Sequence, residues 1–149
     1  MAVARHASVR IPPVIRTLGG PELVHARSLE QLRERLRAGL PFASLSAVAT
    51  GFGLAGEETR TVLRIPPRTL ARRKRERRLS PEESDRLYRL GRIATLAEEV
   101  LGDRRKAADW LRAPNRALGQ AAPLSRLDTD LGAEEVEDIL LRLDHGVFG

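Results

Sequence analysis

The stretch "RIPPRTLARRKRERRLSPEES", residues 64–84, decides how this chain is read. Eight of its first fifteen residues are Arg or Lys, and the basic run stops at Ser80. Pro67 suits the first turn of a helix, where its missing N–H costs nothing. A helix through "RTLARRKRER" stacks Arg68, Arg72 and Arg75 on one face, sets Arg73 and Arg77 beside it, and turns Leu70 inward. Ser80, Pro81 and Glu83 then form a capping box with proline at the first helical position, so a new helix begins there.

Upstream, "SLEQLRERLRAGLP" places Leu29, Leu32, Leu36 and Leu40 at helical spacing behind a Ser28 N-cap and ends at Gly39 and Pro41. "FASLSAVATGFGLAGEETRTVLRI" reads as two short helices around a glycine break, the second carrying Val62, Leu63 and Ile65. Within that break, Gly51, Gly53 and Gly56 match G-x-G-x-x-G, but "SLSAVAT" lacks the β-branched alternation of the strand a dinucleotide site requires. A helix-ending turn is the expectation. A short apolar helix, a tight turn and a basic helix form a helix-turn-helix. In it Arg side chains grip guanine O6 and N7, while Thr69 and further arginines hold phosphates. The expected DNA-contacting residues are Arg68, Thr69, Arg72, Arg73, Arg75 and Arg77. The alternative is a basic helix that is merely solvated.

Downstream of Ser80, Leu87, Leu90, Ala94, Ala97 and Leu101 make one stripe, Gly102 ends the helix, and Asp103 caps "RRKAADWLRAP", whose Trp110 is expected to anchor a core. A final helix carries Val136, Ile139, Leu140 and Leu143.

The fold class expected is all-α. It consists of a helix-turn-helix module over 21–79 and a small helical domain over 80–149, preceded by a loose arm over 1–20 that contains "IPP" and "LGG". Charge divides the same way. Residues 1–79 hold 16 basic and 6 acidic side chains, residues 80–149 hold 10 and 14, and the 149-residue chain carries a net +6. The basic half suits a polyanion and the acidic half suits another protein. With no cysteine, disulfides and Cys-ligated zinc are excluded. His6, His25 and His145 lie too far apart for metal-ligand or triad spacing, so neither catalysis nor a cofactor is expected. No run is long and apolar enough for a membrane helix, and a cytoplasmic protein is expected.

The pieces "ES" with "RL" following, "RI", "GD" before "KA", "WL" before "PN", "PL" with "LDT", and terminal "HGV" occur in order over the last seventy or so residues. This run resembles the toxin-binding domain of Xre/MbcA/ParS-type antitoxins. "GLP" and "RTLARRKRERRLSPEES" resemble the DNA-binding half of the Xre antitoxins of RES-Xre modules. The resemblance implies a type II antitoxin, itself not an enzyme, that clamps a NAD-consuming RES-domain toxin and binds operator DNA as a homodimer and as a hetero-oligomer with the toxin. It assigns toxin binding to Val136, Ile139, Leu140, Leu143, His145, Gly146, Val147 and Phe148, with the last four over the toxin's pocket. Where such relatives often carry Gly and Ser in the turn before the basic helix, this chain has Arg64 and Pro66, so a distorted turn is expected. A helix-turn-helix regulator without a toxin partner is the alternative function.

Overall fold

The computed structural model describes residues 11–146, which form helices and connecting turns with no strand beyond two isolated bridges. In chain order the helices are α1 (Ile11–Thr17), α2 (Pro21–Val24), α3 (Leu29–Ala38), α4 (Phe42–Gly51), α5 (Gly56–Leu63), α6 (Pro67–Glu76), α7 (Pro81–Leu101), α8 (Arg104–Arg112) and α9 (Asp130–Asp144). Two 3₁₀ turns, Arg116–Leu118 and Pro123–Arg126, link α8 to α9.

The caps read from the sequence set these boundaries. Ser28 Oγ accepts from the Gln31 N–H, and Asp103 accepts from the Lys106 N–H. At Ser80 the reciprocal box is complete: the Glu83 N–H donates to Ser80 Oγ at 3.1 Å, and the Ser80 N–H donates to Glu83 Oε1 at 2.9 Å. Gly102, at φ 80°, ends α7 in the left-handed conformation.

α7 is the centre of the molecule: α1, α3, α5, α8 and α9 all pack on it. Leu87, Leu90, Ile93, Ala94, Leu96 and Ala97 are buried on its different faces, each large side chain contributing about 1.5–3 kcal/mol of transfer free energy. A single apolar cluster runs from Val14 to Leu140, so residues on either side of Ser80 share one core. Trp110 is only partly buried at the edge of that core, while Leu111 and Ala107 fill the interior from α8.

The expected arm over 1–20 divides. Residues 1–10 lie outside the described residues, but residues 11–20 are not loose. α1 buries Val14 and Ile15, Leu18 packs against the bare Gly91 backbone, and Thr17 Oγ1 lies 2.7 Å from Thr95 Oγ1 on α7. Apolar residues one and four apart suffice to bury one face of a short helix, and Gly19 and Gly20 close it through bonds to Arg16 and Ile15 carbonyls.

The "GFGLAG" glycines lie between two helices with no strand before them. Gly53, at φ 62°, donates to Thr50 O while Leu54 donates to Ala49 O, a helix-ending Schellman closure.

Candidate nucleic-acid and partner-binding surfaces

α5, the turn at 64–66 and α6 form the helix-turn-helix. The turn closes without glycine or serine, at the cost of a non-glycine residue in the left-handed region. Arg64 itself takes the left-handed backbone, at φ 56°, and the bonds Arg64 N–H to Thr61 O and Ile65 N–H to Arg60 O close α5 in the Schellman pattern. Pro66 stands extended before Pro67, so the first turn of α6 has neither a side-chain cap nor a carboxylate. Leu70 packs against the core, and no residue of α6 is fully buried.

Arg68, Arg72 and Arg75 are exposed on this helix, with Thr69 half-buried at its start and Arg77 exposed at its left-handed end. Arg72 lies 4.0 Å from Glu76, an exposed pair of little strength. Arg73 does not join them. Its Nε donates to Glu83 Oε1 at 2.7 Å, Nη1 lies 3.4 Å from Glu76, and the side chain is 19% exposed. Arg73 holds the basic helix onto the first turn of α7 and is withdrawn from the expected contact set. Burial raises the Glu83 carboxyl, but the bonds from Arg73 and the Ser80 N–H outweigh it and leave the group below its ordinary range. The same pair raises Arg73.

In the C-terminal part of the chain, α9 starts at the Thr129 cap and is tied to α7 by Arg89–Asp130 at 2.6 Å and Arg92–Glu137 at 2.8 Å. Val136 and Leu140 are 0% exposed. They face α9's own core and are unavailable to a partner, contrary to the expectation for them. Ile139 and Leu143 are partly buried against the same core. The outward face instead carries Leu131, 71% exposed, together with Glu134, Asp138 and Arg142. His145 and Gly146 are exposed at the end, whereas Val147 and Phe148 lie outside the described residues. The sequence does not say which of several leucines on one helix lies opposite the core, as Leu131 does.

Among the described residues there is no cluster of three or more His, Cys, Asp or Glu able to hold a metal. None of the described helices is long and apolar enough to cross a membrane.

The two surfaces coincide with two known domains. Residues 31–92 match the Antitoxin Xre-like helix-turn-helix domain, and residues 96–146 match the Antitoxin Xre/MbcA/ParS C-terminal toxin-binding domain. An Antitoxin Xre of Photorhabdus laumondii is 30% identical over 141 residues, covering 93% of this chain and 93% of that one. The chain belongs to the Xre family of antitoxins. Shorter matches are to the Antitoxin Xre of Yersinia enterocolitica, 44% identical over 56% of this chain, and to that of Pseudomonas putida, 40% identical over 55%. These matches span 58% and 52% of the two relatives' lengths. The Xre-like match ends at residue 92 and the toxin-binding match begins at residue 96, both within α7.

Proposed function

We propose that this chain is a type II antitoxin that neutralises a NAD-consuming RES-domain toxin in the cytoplasm and, as a homodimer, represses its own operator. The observation that carries the reading is that a helix-turn-helix with exposed guanidiniums and a toxin-binding domain with an outward acidic, leucine-bearing helix are built on one chain. On the DNA side, Arg68, Thr69, Arg72 and Arg75 enter the major groove, and the dimer pairs two half-sites about one helical turn apart. On the toxin side, the outward face of α9 seats the partner, and His145, Gly146, Val147 and Phe148 cover its NAD pocket. The antitoxin's role is steric, and the chemistry belongs to the toxin.

Deleting Asp144 to Gly149 tests this reading in a reconstituted pair with the protein encoded next door. Folding and DNA binding should persist while NAD loss returns. A truncated protein that still blocks NAD consumption fully would show that the tail is not the inhibitory element.

A further inference from the structure

The basic helix α6 is bracketed by two arginines in the left-handed region, Arg64 at φ 56° and Arg77 at φ 63°. A Cβ makes that backbone unfavourable, and glycine adopts it without penalty. This chain uses glycine for the purpose elsewhere, at Gly53 after α4 and Gly102 after α7. His25 and Gln120 share the conformation, but they follow elements of only four and three residues. Arg64 and Arg77 are distinct in flanking the same ten-residue helix, Arg77 as its C-cap and Arg64 two residues before its N-cap, Pro66. Both side chains are exposed, and neither has an ion-pair partner among the described residues.

Their backbones, by contrast, are fully used. The Arg64 N–H closes α5, the Arg77 N–H donates to Arg73 O, and Arg77 O accepts from the Phe42 N–H at 3.0 Å. Glycine would make every one of these bonds with less strain, so what arginine adds at both places is charge. The first turn of α6, which carries Arg68, holds no carboxylate to neutralise these cations. Each of the two arginines caps a helix C-terminus, Arg64 that of α5 and Arg77 that of α6, where the dipole holds a cation in place while its guanidinium stays exposed.

We propose that Arg64 and Arg77 form a two-ended phosphate clamp, each holding one of the two DNA strands that wall the groove occupied by α6. The spacing fits: ten residues of α-helix span about 15 Å, and the major groove is about 12 Å wide. In the clamp, the long side chains of Arg64, just before the helix, and Arg77, at its end, would each reach one of the two phosphate ridges. The clamp supplies affinity and register, while Arg68, Thr69, Arg72 and Arg75 read between the ridges. It rests on the DNA-binding reading above.

The test uses the full chain and a labelled mixed-sequence duplex about three helical turns long, titrated across a range of salt concentrations. Arg64→Gly and Arg77→Gly should each make the slope of log affinity against log salt shallower by about 0.9. The same two variants should melt roughly 2–4 °C higher, which separates lost contact from lost fold. Arg64→Lys and Arg77→Lys should retain the slope. If both glycine variants keep the wild-type slope while Arg72→Ala and Arg75→Ala reduce it, the clamp is overturned and the DNA-binding reading stands. If the wild type shows no salt-dependent binding to any duplex, both are overturned.

Discussion

Glu58 and Arg112 meet in a two-point bridge across 54 residues of sequence. Arg112 Nη2 donates to Glu58 Oε1 at 2.6 Å and Nε donates to Oε2 at 3.2 Å. The bridge ties α5, the helix that leads into the turn, to α8 of the toxin-binding segment. Beside it the Arg104 guanidinium lies 5.1 Å from the Phe52 ring centroid, a second contact between the same regions.

This bridge predicts a pH signature. The hydrogen bonds from Arg112 and then from the Ala55 N–H hold the Glu58 carboxyl below its ordinary range, outweighing burial. Because the folded value is depressed, its contribution to stability is present above the ordinary carboxylate range and is lost as pH falls through the folded value. Both groups are partly exposed, so Glu58→Gln should cost only about 0.5–1 kcal/mol at neutral pH. The gap between wild type and variant should close in acid, measured by urea unfolding at a series of pH values.

Arg73 and Arg72 are adjacent in sequence yet should behave oppositely. Arg73→Ala leaves Glu83, whose side chain is 9% exposed, without its guanidinium, and should destabilise the fold by about 1–3 kcal/mol. Arg72→Ala should change stability by no more than about 0.5 kcal/mol while weakening DNA binding. Thermal melts and duplex titrations on the two variants check the contrast. Equal stability losses would mean that Arg73 is not a structural anchor.

On α9 the division is between Leu140 and Leu131. Leu140→Ala opens a cavity in the core and should cost about 2–5 kcal/mol. Leu131→Asp should leave the melting temperature nearly unchanged while reducing affinity for the co-encoded partner in a pull-down or calorimetric titration. Undiminished binding by the aspartate variant would place the partner on another face.

Gly132 is buried, and a Cβ built on it would lie 1.9 Å from Arg126 O. The main chain before α9 crosses its first turn too closely for any side chain. Gly132→Ala should therefore cost at least about 2 kcal/mol, readable as a lowered denaturant midpoint. A neutral substitution there would mean that the 3₁₀ turn at Pro123–Arg126 shifts freely.

Helix starts at Ser28, Ser80 and Asp103, and the stop at Gly102, were legible because capping is decided by residues within one turn of each other. α1 was not read, because its apolar period spans a single turn and two prolines open it; its helix is settled by burial against Gly91 and Thr95, some eighty residues away. The basic face was legible as a face. That Arg73 leaves it for Glu83 was not, since the pairing depends on the angle between α6 and α7. On α9 the spacing of Val136, Ile139, Leu140 and Leu143 announced an apolar side but could not say whether it would be covered from within or by a partner.

The long helix α7 lies under both matched segments, which end at residue 92 and begin again at 96. At 21 residues it is a rod about 31 Å long, continuous where the two matched segments meet. A graft made at Leu79 and Ser80 would part Leu40 N–H from Ser84 Oγ and α3 from its seat on α7. Either matched segment can be exchanged only together with the packing that α7 gives to the other.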